Sequence, residues 1–320
     1  MSLHYLFPMY RFIRSPILVV LIMFTFPAIS AARETRNNDT PTGPKVGWST
    51  FLRGGYVHQF DSDLDNGGSF SVNRLFIQGG LTYAHDYRRS ISLALGYGFD
   101  GYDFSGDRGF VSLRPWESIN SLRISTPVRW GFDQKWTVFV IPAVHFTAES
   151  GADLGDAASG GGFTGFSCRF SDRLTMGLGI GVLTQIEDDT TVFPSLIINW
   201  KITDRLSLGT GRGLGATLGP GLALNWKASD KWNLSLGGRV ERLRFRLDNK
   251  GTAPKGIGED RSYLLFGGLT YSFSRRALVS LVGGVDLDGQ HRLEDKKGQR
   301  IAEEDYNPAG FLGFTFRFRF

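Results

Sequence analysis

The chain has 320 residues, of which 42 are glycine and 26 are phenylalanine, with four methionines and a single cysteine. This enrichment in glycine and aromatic residues favours many strands and turns over long helices. A formal net charge of +5 is too small an excess to indicate nucleic-acid binding, and one cysteine excludes an internal disulfide framework.

The N-terminal segment has the pattern of a signal peptide. Two arginines precede the apolar run 16–26, and small residues follow it as far as Ala32. The run is too short to cross roughly 30 Å of hydrocarbon as a helix. We therefore expect residues 1–31 to be cleaved, with an uncleaved anchor as the alternative. Residues 32–45 are then expected to form a flexible segment in the periplasm.

The rest of the sequence contains no run of the roughly eighteen apolar residues that a membrane helix requires. Only helices and closed barrels satisfy their backbone hydrogen bonds in hydrocarbon. If the mature protein lies in a membrane, it must therefore cross it as a closed sheet.

One short unit recurs along the chain and predicts its turns. It reads aromatic or basic residue, then Ser/Thr-Asp-Arg/Lys, then an apolar and a polar residue. Asp and Ser favour tight turns because their side chains bond nearby backbone amides, and each copy lies between two alternating runs, as in a β-hairpin. Repetition of the unit indicates an array of like hairpins. Copies occur at 86–89, 132–136, 169–175, 201–207, 227–233 and 274–277.

Six short turns, with one further run at each end, define fourteen strands; twelve or sixteen are the alternatives. The other connections are mostly longer and rich in Asp, Glu and Gly, and the longest, 288–307, is the candidate for a plug inside the lumen. We expect an all-β fold, a single transmembrane antiparallel β-barrel over residues 46–320 with short periplasmic turns and longer extracellular loops. Strands are predicted near 46–60, 70–85, 90–100, 117–130, 136–148, 161–170, 174–185, 191–202, 206–212, 217–227, 232–246, 261–273, 277–287 and 308–320.

Alternation gives each predicted strand one apolar and one polar face. Leu234 and Leu236, for example, alternate with Asn233 and Ser235. The polar faces carry glycine, serine, threonine and arginine in strand after strand, which suits a wet lumen inside an apolar wall. Tryptophans and tyrosines crowd next to the short turns, where an interfacial aromatic girdle would lie. A soluble, secreted β-sandwich is the rival fold, because its strands also alternate.

The last eight residues resemble the closing strand of outer-membrane barrels. Gly313 is followed by alternating aromatic residues, Phe316, Phe318 and the terminal Phe320, the signal that the barrel-assembly machinery reads in that class. Phe311 departs from the pattern, since a polar residue is usual there. The layout is similar to outer-membrane barrel families of unknown function. The resemblance implies the outer membrane of a Gram-negative-type bacterium, with lipid, lipopolysaccharide, periplasmic chaperones and the assembly machinery as partners. It implies no substrate.

Five basic residues recur at one register near the short turns, on the predicted lumenal faces. A ring of positive charge there would favour the passage of anions through a pore. The alternative is a solvated rim whose charges pair with turn aspartates such as Asp172, Asp204 and Asp230. This basic ring consists of Arg129, Arg169, Lys201, Lys227 and Arg319.

A charged stretch from Arg239 to Arg246 interrupts the alternation of its strand. A β-bulge near Glu241 would explain the switch of apolar parity. The arginines would bind acidic sugars or lipid phosphate, or pair across strands. Glycine pairs also recur within strands, as at Gly79 and Gly80, and curvature of the wall is the simplest reason.

Candidate metal and catalytic groups are few. Asp61, Asp63 and Asp65 resemble part of a calcium loop whose glutamate is missing, so no metal site is expected. His145 has serines on nearby strands, but no feature of the sequence marks them as a catalytic set. No cofactor motif is present, and we expect no enzymatic activity.

Three hypotheses for function follow from these patterns. The first is a passive pore or transport channel for small polar solutes, with an anion preference from the basic ring. The second is a structural or surface-interaction barrel without an open channel, and the third is an outer-membrane hydrolase. Small lumenal residues favour the first, because side chains alone fill a barrel of about eight strands but not one of about fourteen.

Overall fold

The computed structural model describes residues 46–211 and 221–320. The predicted signal peptide, 1–31, and the N-terminal segment, 32–45, lie outside the described residues. The described chain is built of strands and connections, with two short 3-10 helices, Gly109–Leu113 and Gly155–Ala157. In this part of the chain no helix is long and apolar enough to cross a membrane. The strands are β1 (Gly47–Asp63), β2 (Ser69–Ala84), β3 (Arg89–Ser105), β4 (Ser118–Ser125), β5 (Val128–Gly131), β6 (Trp136–Glu149), β7 (Ala158–Arg169), β8 (Leu174–Gln185), β9 (Asp188–Lys201), β10 (Leu206–Thr210), β11 (Gly221–Lys227), β12 (Trp232–Arg246), β13 (Ile257–Ser274), β14 (Ala277–Glu294), β15 (Arg300–Tyr306) and β16 (Ala309–Arg319).

The strands form one antiparallel sheet that closes on itself. Neighbours in the chain pair in order, and β16 joins the two ends by pairing with β1 on one side and β14 on the other. Two wall strands are interrupted: β4 and β5 follow each other between β3 and β6, and β15 and β16 pair with successive parts of β14. Pro127 and Pro308 lie at these interruptions, since proline has no N–H for the ladder. The sixteen segments therefore make fourteen barrel strands, and the predicted fold is confirmed.

All six predicted turns lie at one end of the barrel, the short-turn end, and each spans two to four residues. Their polar side chains accept backbone hydrogen bonds, as the repeated unit predicts. Asp133 Oδ1 accepts from the amides of Lys135 at 2.7 Å and Trp136 at 2.6 Å. Thr203 Oγ1 accepts from the amide of Leu206 at 2.9 Å. These local bonds fix the register of each hairpin.

The outer face of the barrel is apolar and exposed, as at Leu93, Leu95 and Leu236. A closed sheet with this exterior matches a membrane barrel and excludes the soluble sandwich, whose apolar faces pack against each other. Aromatic side chains point outward next to the short turns, and the rings of Trp48 and Tyr83 lie 5.1 Å apart. Trp48 adds to the predicted girdle, which is formed by Tyr83, Trp130, Trp136, Trp200, Trp226, Trp232 and Tyr271.

The polarity of the wall reverses toward the opposite end, the loop end. Strand β12 pairs with β13 without interruption from Trp232 to Arg246, so the β-bulge predicted near Glu241 is wrong for this described strand. Unbroken alternation turns Phe245 inward, where it is 0% exposed, and Arg244 outward. The strand continues past the membrane, where polar partners lie outside the wall and packed apolar side chains lie inside it. Regular alternation therefore exchanges its apolar and polar faces.

The segment 288–307 does not fold into the lumen as the predicted plug; it continues the wall and contributes the inward side chains of His291 and Tyr306. Strand β14 continues to Glu294 and β15 returns from Arg300, with register pairs from Gly289↔Tyr306 to Glu294↔Arg300. Only residues 295–299 connect the two strands. The prediction is wrong because charged side chains on a strand beyond the membrane have the composition of a loop.

Candidate functional site

The loop end of the lumen is filled by a cluster of rings around His291, the aromatic plug. His291 is 0% exposed, and its Nε2 lies 3.5 Å from Oδ1 of Asp260. The ring centroids that surround the imidazole lie 4.4 to 6.1 Å from it. The plug is formed by Phe70, Tyr102, Phe104, Phe110, Trp116 and Tyr306.

Part of the plug comes from the connection between β3 and β4, residues 106–117. Phe110 lies in its 3-10 helix and Trp116 just before β4, and each is 2% exposed. Trp116 packs on Phe245 of β12 with ring centroids 5.1 Å apart. A loop therefore folds into the lumen, but it is this connection and not 288–307. The aromatic residues from 102 to 116 were the available sequence signal.

A charged group lies directly beneath the plug. Arg74 Nη2 donates to Asp260 Oδ2 at 3.0 Å, and its Nη1 lies 3.7 Å from Asp100 Oδ1. The hydroxyls of Tyr102 and Tyr306 donate to Asp260 at 2.7 and 3.1 Å. Asp260 thus connects the plug to the charged interior, and these hydrogen bonds offset part of the cost of burying its carboxylate.

Four arginines face the lumen closer to the short-turn end and form the arginine layer. Arg53 Nε donates to Gln78 Oε1 at 2.6 Å, and Arg53 pairs in register with Arg317. The Arg239 guanidinium lies over the Phe266 ring at 5.1 Å. Alternation alone turns these residues inward, yet of the four only Arg239 was a candidate from the sequence, as part of the charged stretch. The layer consists of Arg53, Arg123, Arg239 and Arg317.

Phenylalanine rings line the lumen, each lying against a glycine of a neighbouring strand. A Cβ at Gly80 would lie 2.6 Å from Phe51 Cζ, and one at Gly237 would lie 2.6 Å from Phe266 Cζ. Room for these rings is a reason for the glycine pairs beyond the predicted curvature. The rings also make the lumen narrower and less polar than its small residues predicted. Further pairs are Phe76 with Gly55, Phe139 with Gly165, Phe163 with Gly179 and Phe311 with Gly284.

The basic ring lies on the lumenal side, within a few residues of the short turns. Lys227 Nζ contacts Asp230 Oδ1 at 2.7 Å, and this hydrogen bond lowers the pKa of the Asp230 carboxyl. The rim pairing that was the alternative interpretation is therefore present at Lys227. The lumenal face also holds the other members, and whether the ring selects anions stays a prediction. Those members are Arg129, Arg169, Lys201 and Arg319.

The predicted assembly signal lies in β16 and at the residue that follows it. Gly313 faces inward, and a Cβ there would lie 2.6 Å from Val57 Cγ2. Phe316, Phe318 and Phe320 point outward, and Phe320 is 70% exposed. Their recognition by the assembly machinery stays a prediction.

The remaining candidate residues gain no support. Asp61 and Asp63 lie at the exposed end of β1, and no cluster of three or more metal-ligating side chains occurs among the described residues. Asp65, the third calcium candidate, donates its amide to the carbonyl of Asp305 at 3.1 Å. His145 pairs in register with Arg123, and the structure describes no hydrogen bond from its ring to a serine.

Ion pairs lie on the outward side of the wall at the loop end, against the β8–β9 connection. Arg244 contacts Glu259 at 3.0 Å and Glu294 at 2.6 Å, and Arg242 contacts Glu259 at 2.8 Å. Burial acts to raise the pKa of Glu259, but the hydrogen bonds and charges of Arg242 and Arg244 outweigh it and hold that pKa below its usual value. Pairing of these arginines across strands, one of the two sequence interpretations, is confirmed.

No protein-family model and no curated protein matches the chain. Among solved structures, the chain is similar to an outer-membrane channel from Pseudomonas putida F1, with 10% identity and a TM-score of 0.48, covering 91% of this chain and 98% of that one. It is also similar to a FadL homologue from Pseudomonas aeruginosa, with 12% identity, a TM-score of 0.46 and coverage of 94% and 98%. For the toluene transporter TodX of P. putida the identity is 9%, the TM-score 0.42 and the coverage 86% and 90%.

The fold rests on the geometry of the chain itself. Fourteen strands close without a free edge, their outer face is apolar, and an aromatic girdle follows the short turns. Such a wall is stable in hydrocarbon because the backbone groups of every strand form their hydrogen bonds within the sheet. The protein is a transmembrane β-barrel with the architecture of bacterial outer-membrane proteins.

Proposed function

We propose that the protein is a transport channel for small solutes in the outer membrane of a Gram-negative-type bacterium, closed at its loop end by the aromatic plug. The division of the lumen carries this proposal. Its short-turn end holds exposed inward cations, Arg317 and Arg319, whereas a packed cluster fills the loop end. Burying charge in a dry interior is costly, so a lumen rich in arginine fits a water-filled passage.

The plug is suited to act as a gate because a connection carries part of it. Phe110, Val111 and Trp116 all lie in 106–117, whereas hydrogen-bond ladders hold the wall strands. Connections open locally at a lower free energy than the strands of a sheet. Movement of 106–117 would withdraw three large side chains from the lumen and leave the ladders intact.

Single-channel recording in planar bilayers tests the gate. The wild-type barrel should give rare or small openings, and the combined Phe110→Ala, Val111→Ala and Trp116→Ala variant should raise the mean conductance several-fold. Leu154→Ala, at an exposed position of the β6–β7 connection, is the matched control and should behave as wild type. A triple variant that still migrates as a folded barrel before boiling, yet conducts no current, would replace the channel with the structural or surface-interaction barrel.

We further propose that the open channel prefers anions. The basic ring and the arginine layer face the short-turn half of the lumen, while the inward carboxylates Asp100 and Asp260 lie next to the plug. Charged rings set ion preference in pores. Neutralising Lys201 and Lys227 to Gln should shift the reversal potential in a salt gradient toward zero, whereas Arg275→Gln in a short turn should not. An unchanged reversal potential in the double variant contradicts this preference.

The same geometry supports the proposed partners and no catalytic role. Lipid and lipopolysaccharide would contact the apolar wall, and periplasmic chaperones and the assembly machinery would receive the unfolded chain with its C-terminal signal. Lipase, deacylase and protease assays on the purified barrel should be blank. An activity that disappears in His145→Ala would replace the channel with the hydrolase hypothesis.

A further inference from the structure

The arginine layer brings like charges together in the lumen. Arg53 and Arg317 are direct register partners on β1 and β16. On the other side, Arg53 pairs with Gln78, which pairs with Gly96, which pairs with Arg123, so one inward row runs across four strands. Gly96 has no side chain, which leaves the space between Gln78 and Arg123 free of a bulky group. Backbone pairing alone therefore places three guanidinium groups along one row.

Like charges within the layer repel one another. The guanidiniums of Arg317 and Arg239 act on Arg53, and Arg53 acts in turn on Arg123. Glu241 brings a carboxylate 3.6 Å from Arg239 Nη1. Arg123 is 7% exposed, so water screens its charge poorly. An anion seated among these groups would lower the repulsion, because like charges in a low dielectric interact strongly.

The chemistry of the layer selects the kind of anion. Guanidinium groups present planar, paired N–H donors that match the oxygens of a carboxylate or phosphate. Arg239 lies over the Phe266 ring, and Phe266 packs in one buried cluster with Phe311, Val57 and Leu264. Oxyanion donors and an apolar surface therefore lie side by side at this level of the lumen.

The layer is reached from the short-turn end. Arg317 faces the lumen and is exposed, so solvent reaches the layer at this residue. The basic ring lies between the layer and the mouth and would raise the local concentration of anions. Above the layer, the buried apolar cluster and the aromatic plug close the passage. An anion that enters from the short-turn end would stop at the arginines.

We propose that the arginine layer binds the acidic head group of a small organic anion, whose apolar part contacts the Phe266 and Phe311 rings. The inference names the substrate class of the lumen, and in that sense it rests on the proposed channel function. Binding itself requires no open gate, because the layer lies on the accessible side of the plug.

Ligand binding to the purified, folded barrel in detergent at low ionic strength tests this site. Benzoate carries both an acidic group and a ring, acetate the acidic group alone, and benzyl alcohol the ring alone; inorganic phosphate is the fourth probe. Calorimetric titration should show that benzoate binds the wild-type barrel. In a separate thermal unfolding measurement, benzoate should raise the midpoint of unfolding. Acetate, phosphate and benzyl alcohol should each bind at least tenfold more weakly.

Variants locate the binding. Arg53→Gln and Arg123→Gln should each weaken benzoate at least tenfold. Each variant should still migrate as a folded barrel before boiling, which separates weaker binding from misfolding. Arg275→Gln, in a short turn, should bind benzoate as wild type does.

Three results would overturn the proposal: no benzoate binding by the wild type, equal binding of benzyl alcohol, or unchanged binding in both arginine variants. Phosphate binding that matches benzoate would overturn the role of the phenylalanine rings. Failure of this binding site can be distinguished from failure of the channel proposal. Benzoate binding with no conductance in the plug variant would contradict the channel alone, and conductance without binding would contradict this site alone.

Discussion

Gly79 and Gly80 are neighbours in β2, yet an added methyl group would meet different surroundings at the two positions. At Gly80, on the lumenal side, the Cβ would lie 2.6 Å from Phe51 Cζ and 2.8 Å from the Leu93 carbonyl oxygen. At Gly79, on the lipid side, the nearest atom is the Phe51 carbonyl oxygen at 3.8 Å. Overpacking costs about 1–3 kcal/mol, whereas alanine in place of an unstrained strand glycine gains roughly 0.5–1 kcal/mol. Gly80→Ala should therefore destabilise the barrel, and Gly79→Ala should not.

The assay is urea-induced unfolding in phospholipid vesicles, followed by tryptophan fluorescence, with the free energy of unfolding compared at constant lipid composition. Relative to Gly79→Ala, Gly80→Ala should lose at least about 1 kcal/mol. Adding Phe51→Leu to Gly80→Ala should recover part of this loss, because the smaller side chain vacates the space over the glycine. Equal stability of the two alanine variants, or no coupling between Phe51 and Gly80, would show that the ring does not depend on the missing side chain.

Three further outcomes are expected. Because the pKa of Glu259 is depressed, its ion pairs stabilise the barrel above the usual pKa of 4.5, and this stability is lost as the pH falls through the lower folded-state pKa. Glu259→Gln should therefore be less stable at pH 7, and its stability should depend less steeply on acid pH. A pH profile of stability parallel to that of the wild type would contradict the pairing. Deleting Phe320 should sharply reduce the heat-modifiable barrel in the membrane fraction, and normal assembly would remove it from the signal. Trp116→Ala should lower the free energy of unfolding by about 3–5 kcal/mol in the same urea assay, as for other buried tryptophans. A much smaller loss would show that the plug is loosely packed.

The short-turn end could be predicted from sequence because its determinants are local. Each turn contains its own hydrogen-bond acceptor, such as Asp133 or Thr203, two or three residues from the amides that it accepts. The flanking strands lie in hydrocarbon, where the apolar face of each alternating strand must point outward. Strand β12 accordingly has the predicted bounds, Trp232–Arg246, and so does β8, Leu174–Gln185.

The loop end could not be predicted from the sequence, because beyond the membrane the apolar face of a strand no longer points outward. Charged residues on β14 and β15 indicate an exposed surface, but they do not reveal whether the surface belongs to a loop or to a strand beyond the membrane. The same ambiguity produced the β-bulge near Glu241, since Phe245 was taken for an outward residue. Hydrophobic alternation fixes which residues share a face, and only the environment on each side of the wall decides which face is buried.

The sequence by itself determined the hairpin array and the apolar exterior, and favoured fourteen strands over twelve or sixteen, because turns and alternation depend on residues close in the chain. Only the tertiary structure decided what fills the lumen. Phe110 packs against His291, and Arg53 comes within electrostatic range of Arg239, across separations of about 180 residues that the closure of the sheet brings together. Closure is a property of the whole wall, so no local sequence pattern predicts the aromatic plug or the arginine layer.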